Sequence, residues 1–299
     1  MRIFVTGSAG FIAWHLVRQL IARGHVVTGL DHRSGGFEGP TMTALTGNLL
    51  EAGTWTPALR GIDAVVHLAA VHADQGHAPH EYWDTNLQGT RNLLDAMQQH
   101  AVKKLIFTSS MAVYGDGYET AMDEHTPPRP GTPYGQSKLA AEQAIREWCE
   151  QEDDRRAVLI RPCVVYGERN VANMYNLIRQ IDSGWFLRFG AGNNVKSIAY
   201  VGNLVAAILH FLQEFPEGVS LVNYSDQPDL TVRRTVAIIR DQLGKRASDI
   251  GLPLWLGVAA AAPIGLLARL LGRPSAITPY RVRKLAKSTR MNSDAIRAL

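Results

Sequence analysis

With 299 residues, 46% hydrophobic and 19% charged, the chain has the make-up of a soluble globular protein long enough to bury a full core. Its 31 Lys and Arg against 27 Asp and Glu leave a formal net charge of +4, which suits anionic ligands but does not suggest a nucleic-acid binder. The two cysteines, Cys149 and Cys163, exclude a disulfide framework and fit a reducing cytoplasm.

Residues 2–6 are an apolar strand that runs directly from the N-terminus into the turn Gly7-Ser8-Ala9-Gly10, with no secretory signal ahead of it. Apolar residues at helical spacing then fill 11–23 and stop at Gly24. Strands follow at 26–30, ending at Asp31, more weakly near 44–46, and at 64–68 and 104–108, with a helix over 86–100. The Pro-, Gly- and Thr-rich stretch 115–133 is a long loop, 134–151 a helix and 158–161 a buried strand. This alternation predicts an α/β fold with right-handed crossovers, a Rossmann-type doubly wound parallel sheet. Its continuous apolar strands suit a sheet covered on both faces.

Beyond residue 168 the pattern changes. Helices are expected at 173–183 and 203–214, the latter with Asn203 as an adequate cap, separated by a glycine-bearing loop. From Gln227 onward, prolines and short helices suggest a second lobe. The expected division is a sheet domain of 1–168 plus about 196–222, and a smaller substrate lobe of about 169–195 plus 223–299. Residues 251–268 carry no charge. Pro253, Pro263 and the many alanines favour a buried helix pair, or a lid over an apolar pocket, over membrane insertion.

Gly7-x2-Gly10 between strand and helix is the context in which backbone N–H groups approach a pyrophosphate at a helix N-terminus. Asp31, at the end of the second strand, can accept from the adenosine ribose hydroxyls and repel a 2′-phosphate. NAD is therefore expected, with Arg33 keeping NADP open. Tyr134 and Lys138 stand one helical turn apart. A tyrosine ionises near pH ~10, and an ammonium beside it favours the phenolate. The pair is a candidate acid–base device, although a tyrosine and lysine at this spacing are common by chance.

The ordered motifs make the reading specific. Thr6-Gly7-x2-Gly10-x2-Ala13, His67-Leu68-Ala69-Ala70, Asn86-x2-Gly89-Thr90-x-Asn92, Ser109-Ser110-x2-Val113-Tyr114-Gly115 and Tyr134-x3-Lys138 together resemble the extended short-chain dehydrogenase/reductase family, in its nucleotide-sugar epimerase/dehydratase branch. The likeness runs continuously to about Leu204 and is loose thereafter.

That resemblance implies Tyr134 as the catalytic acid–base, Lys138 as its partner and nicotinamide-ribose ligand, and Ser110 as the group that holds the reacting oxygen. It implies cofactor contacts from Gly7, Gly10, Phe11, Ile12, Asp31, His32, Arg33, Asn48, Leu49, Leu68, Ala69, Ala70, Asn86, Thr108 and Pro162, besides Tyr134 and Lys138. For a nucleotide-sugar substrate it implies His72, Ser110, Met111, Asn173, Lys196 and Tyr200. It also implies a homodimer through the helices at 86–100 and 134–151.

Three departures narrow the reaction. Val164 stands where many relatives place a diphosphate-binding asparagine, Gly202-Asn203 replaces a usual Asp-Asp, and Met111-Ala112 replaces the Asp-Glu pair with which 4,6-dehydratases eliminate water. The expected activity is NAD-dependent C4 epimerisation of a nucleotide-activated hexose such as a UDP-hexose. A 4-ketosugar reductase of surface-polysaccharide synthesis is the alternative. The histidines at 67, 72, 77 and 80 are not read as a metal site, nor is the basic run Arg281, Arg283, Lys284, Lys287 and Arg290 read as a nucleic-acid or membrane surface.

Overall fold

The computed structural model describes residues 1–72, 77–184, 186–245, 251–270 and 278–298. Its centre is a seven-stranded parallel sheet. The strands are β1 (Arg2–Thr6), β2 (Val26–Asp31), β3 (Met42–Thr46), β4 (Ala64–His67), β5 (Lys104–Thr108), β6 (Arg156–Pro162) and β10 (Val219–Tyr224), in the order β10-β6-β5-β4-β1-β2-β3. The order reverses between β1 and β4, so a crevice opens beyond the carboxyl ends of those strands.

Successive strand residues alternate between two cores, as the period of a pleated strand requires. Phe4, Val65, Leu105, Phe107 and Leu159 pack under α3 (Gly89–Gln99) and α4 (Pro133–Glu150). Ile3, Val5, Val66, Ile106 and Ile160 pack under α1 (Phe11–Ala22) and α6 (Val201–Gln213). The doubly wound expectation is met, and every strand read from the sequence lies within one or two residues of its observed place.

Other features depart from the local pattern. β10 had no sequence counterpart; it pairs with β6 from Val219 opposite Ala157 to Tyr224 opposite Pro162, and completes the sheet from beyond residue 200. The helix expected over 86–100 is preceded by α2 (Pro79–Tyr82) and a π-helical turn (Trp83–Gln88), which carries Asn86. Asn203 is not a helix cap: α6 starts at Val201, after Tyr200, and Asn203 Nδ2 instead donates to Asp226 Oδ1 at 3.1 Å.

The C-terminal part contains β7 (Val164–Tyr166), α5 (Asn173–Asp182), β8 (Arg188–Phe189), β9 (Ile198–Tyr200), α7 (Val232–Gln242), β11 (Gly251–Leu252), α8 (Leu254–Leu270), α9 (Pro279–Ala286) and α10 (Asp294–Arg297). β7 pairs with β9 and β8 with β11. Of the stretch 251–268, expected as a buried helix pair or a lid over an apolar pocket, the described side chains are only partly buried. Within 254–263, Gly257 and Ala261 are buried, while Trp255, Leu256, Ala259, Ala260, Ala262 and Pro263 are exposed. Side chains 264–268, and those of Arg281 and Lys284 in the basic run, lie outside the described ones. Among the described residues no helix is long and apolar enough to cross a membrane.

Candidate active site

The residues marked by the sequence converge on the carboxyl edge of the sheet because each closes a parallel strand. Gly7 follows β1, Asp31 ends β2, Asn48 and Leu49 follow β3, and Leu68, Ala69 and Ala70 follow β4. Thr108 ends β5 just before Ser110, and Pro162 ends β6.

Gly7 has a φ of +68°, and a side chain there would lie 2.7 Å from the Ala69 amide nitrogen, so the turn accepts only glycine. It delivers the chain to α1, whose first turn holds Phe11 and Ile12. No side chain caps that helix, and no acidic residue occupies its first turn. Uncapped helix N–H groups are an anion site waiting for a phosphate.

Asp31 is buried beside this turn. Its Oδ2 accepts from the Ala9 amide at 3.0 Å and its Oδ1 from the Arg33 amide at 2.9 Å, while His32 and the Arg33 guanidinium stand 3.4 Å from Oδ1. Arg33 is thereby folded onto the carboxylate. The donor set fits an adenine dinucleotide: N–H groups for the pyrophosphate and one carboxylate for ribose hydroxyls. Asn48 turns its Oδ1 back to the Leu50 amide at 3.1 Å, and the Leu49 carbonyl accepts from Asn92 Nδ2 at 2.9 Å.

The helix α4, which carries Tyr134 and Lys138, begins with Thr132, whose Oγ1 accepts from the Gly135 amide at 3.1 Å, and with Pro133 in the first turn, where its missing N–H costs nothing. Tyr134 is half-buried with its ring 6.4 Å from that of Tyr82. Lys138 is fully buried with Nζ 4.0 Å over the Phe107 ring. Burial brings its pKa down to about 7, against a smaller opposing pull from Glu142. Ser110 precedes a single 3₁₀ turn, Met111–Val113, and its Oγ accepts from the Ala112 amide at 3.1 Å.

One hydrogen-bond chain ties the two halves together, and sequence reasoning had not found it. The Ala69 amide donates to Thr6 Oγ1 at 3.2 Å, and Thr6 Oγ1 donates to His67 Nδ1 at 2.6 Å. His67 Nε2 donates to Thr90 Oγ1 at 2.9 Å, and Thr90 donates to the Asn86 carbonyl at 2.6 Å. Asn86 Nδ2 donates to Ser137 Oγ at 3.0 Å, and Ser137 donates to the Tyr134 carbonyl at 2.9 Å. The donor order assigns the imidazole proton to Nε2. Burial, with the nearby Lys138 charge, brings the His67 pKa down to about 3, so the ring is neutral. His67 is structural, and His77 pairs with Glu81 at 2.7 Å.

A second buried set was also missed. Arg161 is bidentate to Glu142 at 2.9 and 2.6 Å, and Arg161 Nη1 donates at 2.9 Å to the Tyr114 hydroxyl, which has Asn223 Oδ1 at 2.7 Å. Ser109 Oγ donates to the same Glu142. This network locks α4 to β6, next to the strand end that carries Ser110. The only signal in the sequence was two opposite charges inside apolar runs.

The expected substrate residues are dispersed. His72 is exposed at the end of the segment after β4, and Asn173 is exposed at the first position of α5. Lys196 Nζ donates to Thr289 Oγ1 at 3.0 Å, and the Tyr200 hydroxyl donates to Glu168 at about 3.0 Å. Arg283, Lys287 and Arg290 line a cleft of about 140 Å³ with Asp116 and Tyr118, on the loop that follows Ser110 and Tyr114.

A family model described as the NAD dependent epimerase/dehydratase family matches residues 3–224. An N-acetyl-α-D-glucosaminyl-diphospho-ditrans,octacis-undecaprenol 4-epimerase of Escherichia coli is 38% identical over 295 residues, 98% of this chain and 88% of the relative. A UDP-glucose 4-epimerase of Halalkalibacterium halodurans is 34% identical over 167 residues, 54% of this chain and 50% of the relative. The crystal structure of a UDP-glucuronic acid 4-epimerase from Bacillus cereus in complex with NAD superposes with a TM-score of 0.75 at 25% identity, covering 85% of this chain and 86% of that one. The chain belongs to the NAD-dependent epimerase/dehydratase family and is an enzyme that works with NAD.

Proposed function

We propose that the chain is a nucleotide-sugar-type 4-epimerase whose hexose is held on a diphosphate, and that the diphosphate is carried by a polyprenol. The observation that carries the epimerase reading is the set Ser110 after β5 and Tyr134 and Lys138 on α4, in a sheet whose β2 ends in Asp31, with Met111 and Ala112 where an eliminating enzyme needs an acid and a base.

NAD, which Asp31 and the first turn of α1 would hold, would supply reversible hydride transfer at C4 when bound. Tyr134 takes the proton of the C4 hydroxyl as the carbonyl forms and gives it back when the carbonyl is reduced. Ser110 holds the C4 oxygen through both halves of the cycle. Lys138, titrating near neutrality in its buried position, stabilises the phenolate. The 4-keto sugar turns over between the halves, so the hydrogen returns to the opposite face.

The polyprenol carrier is favoured by the Escherichia coli relative, which matches nearly end to end, whereas the UDP-glucose epimerase matches about half of the chain. Val164, 39% exposed on β7, offers no amide to a nucleotide diphosphate. A UDP-hexose is the second reading, favoured by the Lys196 ammonium and by the family at large. We further read α3 and α4 as a homodimer seam.

The test is to incubate purified protein with polyprenyl-diphospho-N-acetylglucosamine in detergent, and separately with UDP-N-acetylglucosamine, and to resolve the C4 epimers. Epimer should form with no net NADH, and Tyr134→Phe should lower the rate by roughly 10²-fold or more. If neither substrate yields an epimer while a supplied 4-keto sugar is reduced to the alcohol with stoichiometric oxidation of NADH, the enzyme is a 4-ketosugar reductase.

A further inference from the structure

The helix α8 presents a face that an ordinary surface helix does not have. Residues 255, 256, 259, 260 and 263 share one side of the helix and are Trp, Leu, Ala, Ala and Pro, all exposed. The opposite side packs on the protein: Gly257 and Ala261 are buried, and a methyl group at Gly257 would lie 2.6 Å from the Phe189 ring of β8. Trp255 is 66% exposed and Leu256 36%, and Leu187, just before β8 in the adjoining two-stranded ribbon, is 46% exposed. A helix apolar on both sides calls for a nonaqueous neighbour.

The charge of the same C-terminal stretch selects the neighbour. From Gly251 to Ser293 the sequence contains seven Lys and Arg and no Asp or Glu. The remaining residues carry 24 Lys and Arg (31 less 7) against 27 acids, so the chain's whole positive excess lies in this stretch. α9 packs against α8 and contributes exposed Arg283. Lys287, also exposed, follows α9 directly. A second copy of the chain would bring two like-charged faces together, and a nucleic acid would leave the apolar face in water. An anionic bilayer satisfies both features: tryptophan favours the headgroup boundary, and each cation near an anionic surface adds attraction.

We propose that the exposed face of α8 docks on an anionic lipid bilayer, with Trp255 and Leu256 at the headgroup–acyl boundary and the exposed Arg283 and Lys287 toward the headgroups. The inference rests on the reading that the sugar is carried by a polyprenol, because such a carrier stays in the bilayer and the enzyme must come to it. Docking lies in the interface plane and needs no spanning helix.

The experiment is flotation of the purified full chain with vesicles of phosphatidylcholine alone and of equimolar phosphatidylcholine and phosphatidylglycerol, run alongside the detergent assay on the polyprenyl substrate. The chain should float with the anionic vesicles and less with the neutral ones, and added salt should weaken the binding. W255E/L256E should reduce flotation by roughly tenfold or more while leaving NAD content and activity in detergent unchanged. R283E/K287E should remove the preference for anionic vesicles. The proposal is overturned by a wild type that does not float, by equal flotation of W255E/L256E, or by an oligomer in light scattering that W255E/L256E dissociates. Flotation without turnover of the polyprenyl substrate would sink the carrier reading and leave docking standing. Turnover in detergent without flotation would do the reverse.

Discussion

Asn86 and Ser137 are joined at 3.0 Å, and through that bond the π-helical turn before α3 holds α4 between Tyr134 and Lys138. The same Asn86 amide exchanges two hydrogen bonds with the Val71 backbone, Oδ1 accepting at 2.8 Å and Nδ2 donating at 3.0 Å. One buried side chain thus sets the distance between the segment after β4 and the pair Tyr134 and Lys138.

Asn86→Leu, similar in volume but unable to bond, should therefore lower kcat by roughly 10²-fold, because displacements of about 1 Å at a reacting centre cost that much. Steady-state kinetics should show kcat falling with KM little changed, and released NAD should still be stoichiometric. A loss of folded protein instead, seen in circular dichroism, would make Asn86 a fold residue only.

Gly135 is required by close packing. A methyl group there would overlap the Ala112 carbonyl oxygen in the turn after Ser110. Gly135→Ala should push α4 away from that turn and cost roughly 10²-fold in activity, although alanine favours helices. Activity close to wild type would show that the turn yields without consequence.

His67 is kept neutral by burial, with a pKa of about 3 against an ordinary value of 6.5. The folded state then binds fewer protons than the unfolded one between these values, so stability present above pH 6.5 is lost as the pH falls toward 3. His67→Asn cannot titrate. The stability difference between wild type and this variant should shrink steadily as urea denaturation is repeated from pH 7 down to 4. A constant difference would exclude His67 as a source of acid sensitivity.

The Glu142–Arg161 pair is buried on both sides, at 2.6 Å. Removing one partner leaves an uncompensated charge inside the protein. Arg161→Met should cost about 3–5 kcal/mol, whereas replacing both residues by apolar ones of similar size should cost much less. Urea denaturation of the two single variants and the double variant measures the coupling.

The sequence alone determined the features that depend on residues close together in the chain. A strand followed by a glycine turn and a helix places Gly7 and α1, a carboxylate at the end of β2 points to the dinucleotide, and four residues of helix bring Tyr134 and Lys138 to one face. These are local matters of backbone freedom and helical period, and they are legible without a structure. The tertiary structure decided what depends on distant partners. β10 forms because β6 offers it an edge, Tyr200 and not Asn203 precedes α6, and Glu142 and Arg161 can be buried only because they meet. The relay from Ala69 to Tyr134 crosses four segments, so its spacing is set by packing and no local motif encodes it. The uncharged stretch around Trp255 is the sharpest case. Composition marks it as apolar, but only the fold, by placing Gly257 and Ala261 inward, turns Trp255 and Leu256 out.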